Sequence, residues 1–199
     1  MLEQIKQTFN DSIHTQITAA DTLVNIIHTA GERLVQCLLN NGKVLTCGQS
    51  SSASDAQQFA AKMLNRLDTE RPSLPAITLP IQPASITSIA NYAQYNDLIT
   101  RQLKALAEPK DLFFVISPSG TGKNILDAIE AAQSRQLSVI ALTGQNGGEV
   151  ADLLSPDNDL EIRVPADNLA RIQETHRLII NCLCDIIDHS LFSTEATHA

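Results

Sequence analysis

The sequence predicts an α/β fold with a doubly wound, five-stranded parallel sheet and long helices at both ends. Short apolar segments alternate with helical stretches through the middle of the chain, which is typical of right-handed crossovers between parallel strands. The first 40 residues have a helical rhythm of apolar positions. The final helical stretch is apolar on more than one side, so we expect it to be buried from several directions.

The five predicted strands are short apolar runs, buried on both faces as strands of a parallel sheet are. They cover residues 43–48, 75–80, 111–117, 137–144 and 160–165. The intervening helices are expected to start near Ser52, Pro83, Gly122 and Gly148.

Both terminal segments are predicted to be helical. Apolar residues from Leu2 to Asn40 recur at steps of three and four, and Ala30-Gly31 predicts a break into two consecutive helices. The last helix is expected over 168–191. One face of a sheet cannot cover so much apolar surface, so we expect a helical interface between subunits of a closed symmetric oligomer.

The chain of 199 residues is expected to form one domain. It divides into an N-terminal helical segment (1–41), an α/β core with the terminal helix (42–192) and a polar tail (193–199). A hydrophobic fraction of 43% is typical of a globular protein, and a net charge of −8 argues against direct nucleic acid binding. No signal peptide or membrane-length apolar stretch is seen, so we expect a cytoplasmic protein.

The cysteines and histidines do not indicate chemistry. The four cysteines lack a C-x-x-C spacing and are predicted to be buried, reduced thiols. The five histidines lack a metal-ligand spacing, so neither a metal nor another cofactor is expected.

The stretch "FFVISPSGTGKNILDAIEAA" (113–132) contains "GTGK" and invites comparison with a nucleotide-binding P-loop. The pattern fails at two of its fixed positions, because Ser117 replaces the first glycine and Asn124 replaces the magnesium-binding hydroxyl. A loop of this kind before a helix can still hold an anion through backbone N–H groups.

Three predicted strands end in small polar loops: "CGQSSSASD" (47–55), "SPSGTGKN" (117–124) and "TGQNGGE" (143–149). Ligands of open parallel sheets bind at such ends. The third loop is not a dinucleotide motif. The hydroxyls of the first two suit a phosphate or a sugar, although serine and glycine also serve as turns and helix caps. These hydroxyls belong to Ser50, Ser51, Ser52, Ser117, Ser119 and Thr121.

Taken together, "GQSSSASDAQQFAAKMLNR", "ISPSGTGKNILDAIEAA", "VIALTGQNGGEVADLL" and "ARIQETHRLIINCLCDIID" resemble the SIS (sugar isomerase) domain family. The resemblance covers essentially the whole chain. It implies a five-stranded α/β sandwich in a homotetramer. Its nearest branches are the sedoheptulose-7-phosphate isomerases and DiaA, which binds the replication initiator DnaA.

The isomerase branch needs an acid and a base near its substrate, often with a metal. The family's His, Glu, Gln and His positions correspond to Gln58, Lys62, Gln173 and Asn181, of which only Gln173 matches. The family's Asn-Asp after the second strand is also replaced, by Asn91-Tyr92. These departures predict that the chain has no catalytic residues and is not an enzyme. The resemblance implies that the candidate phosphosugar-binding residues are Ser52, Ser117 and Ser119, together with Thr121 of the same loop. The phosphate site is only partly retained, since Pro118 and Gly122 stand where the family has hydroxyl residues.

The DiaA branch implies a non-enzymatic adaptor that binds several DnaA molecules and promotes DNA replication initiation by multivalency. Its partner-binding pair corresponds to Leu191 and Phe192, although Ser193 departs from the branch's pattern. An apolar pair before a polar tail can also fold back on its own core. We therefore predict an adaptor that contacts DNA only through DnaA. The alternatives are a phosphosugar isomerase acting on sedoheptulose 7-phosphate and a sugar-phosphate-sensing regulatory protein.

Overall fold

A computed structural model describes residues 1–67, 70–80 and 83–192. Its helices and strands alternate through the central part of the chain, as the sequence predicts. The helices are α1 (Leu2–Leu39), α2 (Ser51–Leu64), α3 (Pro83–Tyr92), α4 (Asp97–Leu106), α5 (Lys123–Ser134), α6 (Gly148–Leu153) and α7 (Leu169–Phe192). The strands are β1 (Val44–Gly48), β2 (Ala76–Leu79), β3 (Leu112–Ile116), β4 (Ser138–Gly144) and β5 (Leu160–Val164).

The five strands form one sheet in the order β2-β1-β3-β4-β5, and every pair is parallel. The predicted fold class and all five predicted strands are therefore confirmed. The chain moves outward from β1 to β2 and then crosses back to β3 on the other side of β1. This reversal places a topological switch point between β1 and β3.

The two faces of the sheet are covered by different helices, because successive side chains of a strand point to opposite faces. Val44, Phe114 and Leu142 pack with α1, α2 and α7. On this face the rings of Phe59 and Phe114 meet edge to face with their centroids 4.9 Å apart. The other face packs against α4 and α5. The helix α4 was not predicted from the sequence, since only its Leu98, Ile99 and Leu103 are buried.

The N-terminal segment is one continuous helix of 38 residues, so the predicted break at Ala30-Gly31 is wrong. Gly31 is buried, and a Cβ atom at this position would lie 2.6 Å from Cγ2 of Ile186 in α7. The glycine therefore allows α1 and α7 to pack closely. The packing outweighs the roughly 1 kcal/mol by which glycine disfavours a helix interior.

The N-terminal half of α1 presents an apolar stripe to solvent. Its exposed members are Leu2, Ile5, Phe9, Ile13 and Ile17. Apolar residues at this spacing cover one side of the helix, which agrees with a role in subunit contacts. The predicted oligomer itself stays a prediction. None of the helices within the described ranges combines the length and apolar content needed to cross a bilayer.

Candidate functional site

A cavity of about 270 Å³ lies at the switch point, beyond the carboxyl ends of β1 and β3. Ligands of open α/β sheets bind at this place, because the chain leaves neighbouring strands in opposite directions and opens a crevice. The lining comes from the loops after the two strands and from the first turns of α7. It consists of Gln49, Ser50, Ser51, Ser52, Ile116, Ser117, Pro118, Ser119, Leu169 and Gln173.

The loop after β1 places the N-terminus of α2 at the cavity. Ser50 has a φ of 55°, an uncommon backbone conformation for a residue with a side chain, and it turns the chain directly into the helix. Ser51 and Ser52 occupy the first turn of α2, and Ser52 is 1% exposed. The positive end of the helix dipole therefore faces the cavity, where it favours an anion.

The loop after β3 forms the opposite wall. Ser117 is buried, and its N–H donates to the carbonyl of Leu142 at 2.9 Å. Gly120 has a φ of +64°, and a Cβ atom there would lie 1.9 Å from the carbonyl oxygen of Gly147. The backbones of the loops after β3 and β4 therefore pack directly against each other at Gly120, with no room for a side chain. The hydroxyls of Ser117 and Ser119 are thus held on a rigid turn beside those of α2.

Three of the four serine and threonine candidates from the sequence line the cavity: Ser52, Ser117 and Ser119. Thr121 is exposed and lies outside the lining, with its Oγ1 3.1 Å from Oγ of Ser119. Gln49 and Leu169 were not among the candidates. Gln49 sits in the predicted loop, whereas no local signal marks Leu169, because α7 reaches the cavity only through tertiary packing.

The "GTGK" segment does not direct its lysine into the cavity. Lys123 is exposed, and its Nζ pairs with Oδ1 of Asp127 at 2.8 Å along α5. Asn124 is buried, and its Oδ1 accepts a hydrogen bond from Nε2 of Gln49. The segment therefore braces the loop after β1, as expected for a loop that is not a P-loop.

The helices α2 and α7 are joined by polar cross-links beside the cavity. Nε2 of Gln173 donates to Oγ of Ser51 at 2.5 Å. One turn further, Nε of Arg177 donates to Oδ1 of Asp55 at 2.8 Å. Gln173, the single match to the family's acid, base and ligand positions, therefore contacts a serine that lines the cavity.

The other family positions lie further along the same two helices. Nζ of Lys62 donates to Oδ1 of Asn181, and Gln58 is exposed. A divalent metal does not fit these positions. The ammonium group of Lys62 already supplies a positive charge, and the side-chain oxygens of Gln58 and Asn181 belong to neutral amides. No group of three or more metal-ligating His, Cys, Asp or Glu side chains is found within residues 1–67, 70–80 and 83–192.

His176 is buried behind the cavity and is held neutral. Its Nε2 lies 2.9 Å from the carbonyl oxygen of Thr143. Burial lowers the pKa of His176 to about 4, and this effect outweighs the opposing effects of the Thr143 carbonyl and the charge of Asp55. The imidazole is thus a structural group of the α7 wall and does not line the cavity.

The predicted partner-binding pair is partly covered. Leu191 packs against the core on the face of α1, α2 and α7. The guanidinium of Arg71 lies 5.8 Å from the ring centroid of Phe192, and Nε of Arg71 donates to Oδ1 of Asp188 at 2.5 Å. The side chains of Leu191 and Phe192 are both half-buried. Ser193 and the rest of the tail lie outside the described residues.

Comparison with known proteins relates the whole chain to one family. The SIS domain model matches residues 8–144. A phosphoheptose isomerase of Coxiella burnetii is 49% identical over 198 residues, which span 100% of this chain and 99% of that protein. One from Shewanella halifaxensis is 50% identical over 195 residues, 98% of each chain. The structure of a phosphoheptose isomerase from Francisella tularensis has a TM-score of 0.91 and 45% identity, covering 94% of this chain and 98% of that one.

These relatives overturn the predicted function. The prediction of a non-enzymatic adaptor that binds DnaA and acts in DNA replication initiation is wrong, because relatives that match nearly the full chain are named as enzymes. Four substituted positions, Gln58, Lys62, Asn181 and Tyr92, set this chain apart from the isomerase pattern, whereas its similarity to the isomerases extends along the whole chain. The Leu191 and Phe192 pair, which carried the DnaA assignment, is half-covered by the protein's own residues.

Proposed function

Since this chain belongs to the SIS domain family, we propose that it binds a phosphorylated sugar at the switch point and interconverts its aldose and ketose forms. A heptose phosphate is the proposed substrate, as the names of the relatives indicate. The observation that carries the proposal is the convergence of serine hydroxyls from two strand ends on one cavity at the N-terminus of α2.

The phosphate is assigned to Ser52, Ser117 and Ser119. Hydroxyls on rigid turns donate to phosphate oxygens, and the helix dipole adds a fixed favourable charge. Ser51 is engaged by Gln173, so this pair would orient the sugar hydroxyls next to the phosphate. The fully buried side chain of Ile116 makes the base of the cavity apolar, which would strengthen each of these bonds.

The distance along α2 from the serine cavity to Lys62 favours a long sugar. Ser51 and Lys62 lie eleven positions apart on α2, so they share one face of the helix with a separation of about 16 Å between their Cα atoms. The lysine side chain leans back toward the helix N-terminus. An extended seven-carbon sugar phosphate is about 10 Å long from standard bond lengths. A phosphate at the serines would therefore extend its carbonyl end toward Lys62.

Isomerisation requires a group that moves a proton between neighbouring carbons. None of the described side chains that line the cavity titrates near neutral pH. Lys62 is the ionisable member of the four family positions, and we assign to its ammonium group the polarisation of the sugar carbonyl, by hydrogen-bond donation to the carbonyl oxygen. The same lining favours a second candidate, a protein that binds a sugar phosphate without turning it over.

Sedoheptulose 7-phosphate should be incubated with the purified protein, with aldose formation followed by NMR and affinity by calorimetry. Loss of one phosphate hydrogen bond in Ser117→Ala should weaken binding by roughly tenfold to a hundredfold, the effect expected for a bond to a charged group. Ser54→Ala is the matched control, because Ser54 is exposed on α2 outside the lining.

Each result distinguishes the candidates. Turnover by the wild type that is lost in Lys62→Met establishes the isomerase and the role of Lys62 in polarising the carbonyl. Saturable binding without turnover supports the second candidate instead. Absence of binding by the wild-type protein would refute both.

Three expectations from the sequence stay predictions within this proposal. They are a cytoplasmic location, a single domain with the boundaries given above, and a place in the family beside DiaA. Phosphosugar turnover would place the chain with the isomerase branch.

A further inference from the structure

Behind the serine cavity, α2 and α7 enclose a buried polar pair, Asp55 and His176, each 0% exposed. Two hydrogen bonds join the helices around this pair. One joins Ser51 to Gln173, and the other joins Asp55 itself to Arg177. The second bond lies four residues, or about one helical turn, beyond the first on both helices. Asp55 and His176 therefore lie about one turn deeper than Ser51 and Gln173, which line the cavity.

Each member of the pair has one satisfied polar atom and one that lacks a partner. Nε2 of His176 must carry its proton, because it bonds the carbonyl oxygen of Thr143, which only accepts. Nδ1 of the neutral ring is then a bare acceptor. Oδ1 of Asp55 accepts from Arg177. Within the described part of the chain, Nδ1 of His176 and Oδ2 of Asp55 are both buried without a hydrogen-bond partner.

Two acceptors cannot bond each other, and a buried acceptor without a donor is costly. Arg177, the residue that follows His176, bonds Oδ1 of Asp55 at 2.8 Å, so the carboxylate lies against the turn of α7 that carries the imidazole. A small neutral molecule with two donor hydrogens satisfies both atoms, and buried waters serve this purpose in proteins. An additional cation is not required, since Arg177 already neutralises Asp55.

We propose that a bound water bridges Oδ2 of Asp55 and Nδ1 of His176, and that these two are positioning residues of the phosphosugar site. The positioning role rests on the proposed function, which supplies the sugar phosphate. The bridging water does not depend on that function. Asp55 is one turn from Ser51, and His176 is one turn from Gln173. The bridge thereby fixes the position of α2 along α7. This position in turn sets the distance from Ser51 and Ser52 to the serines of the loop after β3.

Three variants separate this role from a merely structural one. Asp55→Ala removes both the bridge and the bond to Arg177. Asp55→Asn keeps the shape, since its amide oxygen accepts from Arg177 and its NH₂ group donates to the bridging water, which in turn donates to Nδ1 of His176. Asp188→Ala is the matched control, because it breaks another buried ion pair, with Arg71, near the C-terminal end of α7 and away from the cavity.

Affinity for sedoheptulose 7-phosphate and the thermal midpoint should be measured for all three. We expect Asp55→Ala to weaken binding at least about tenfold and Asp55→Asn to stay within about threefold, because the amide keeps the water-mediated bond and needs no negative charge. Asp188→Ala should lower the thermal midpoint without changing affinity. Equal affinities of wild type and Asp55→Ala would overturn the positioning role.

A crystal structure of the wild-type protein tests the water independently of any ligand. A solvent peak within hydrogen-bond distance of both Oδ2 of Asp55 and Nδ1 of His176 supports the bridge. Direct contact of these two atoms, which requires a proton between them, would overturn it. If the wild-type protein binds no sugar phosphate, the proposed function fails, and this structural result still decides the water.

Discussion

Protonation of one buried residue, His176, should lower the free energy of unfolding as the pH falls. Burial lowers its pKa to about 4 in the folded chain, against an ordinary value of 6.5. The unfolded chain therefore takes up the proton first as the pH falls. The stability contributed by the neutral ring is fully present above about pH 6.5 and is lost progressively down to about pH 4.

The size of the effect follows from the two pKa values. The complete loss is about 3 kcal/mol, at 1.36 kcal/mol for each unit of pKa difference. Between pH 7 and pH 5 the linkage relation predicts a loss of about 2 kcal/mol in the free energy of unfolding. This is a large part of the roughly 5–15 kcal/mol by which domains are stable.

The assay is urea unfolding of the wild type and of His176→Gln at pH 7 and pH 5, at one protein concentration. Glutamine is a suitable comparison, because its amide can donate to the carbonyl of Thr143 and does not titrate. Carboxylates contribute equally to both proteins, so the difference between their pH dependences isolates His176. If the two proteins lose the same stability between pH 7 and pH 5, the assignment of a neutral buried imidazole is refuted.

Three further predictions concern packing and assembly. Gly31→Ala should destabilise the protein by about 1–3 kcal/mol by crowding Ile186, despite alanine's higher helix propensity, and a thermal melt that shows stabilisation would contradict the close α1–α7 packing. Gly120→Ala should cost at least about 1–2 kcal/mol from its positive φ, with a further cost from the clash with Gly147, and sugar-phosphate binding should be lost with the turn; unchanged affinity would exclude this loop from the site. Phe9→Asp places a charge in the exposed α1 stripe and should shift the mass measured by light scattering to a smaller species, whereas an unchanged mass would exclude the stripe as the subunit interface.

Local patterns were sufficient to predict the sheet. Each buried strand is a short apolar run between polar turns, as in "DLFFVIS", and this signal depends only on neighbouring residues. Helix α4 was missed because its buried face consists of a few residues within a polar stretch. The break at Gly31 was predicted wrongly, since a glycine that ends a helix and one that admits a neighbouring side chain look the same in a sequence.

Part of the candidate site could likewise be predicted from local sequence patterns, and the rest depends on tertiary packing. The serine loops were visible in the sequence, because small hydroxyl residues after a strand have a recognisable composition. Leu169, Gln173 and the Asp55–His176 pair depend on how α7 packs across α2, and their partners are more than 100 residues apart in the chain. The partial burial of Phe192 likewise depends on Arg71, which no local pattern connects with it.

The sequence by itself thus determined the strands, the crossovers and the loops at the strand ends, since these follow from the order of apolar and turn-forming residues. Tertiary structure alone decided which loops share one cavity, which helix closes it and which ionisable groups lie beneath it. The physical reason is that strand order and helix packing are set by burial between distant segments. The charge state of His176 follows from the same burial, because removing the ring from water disfavours its protonated form.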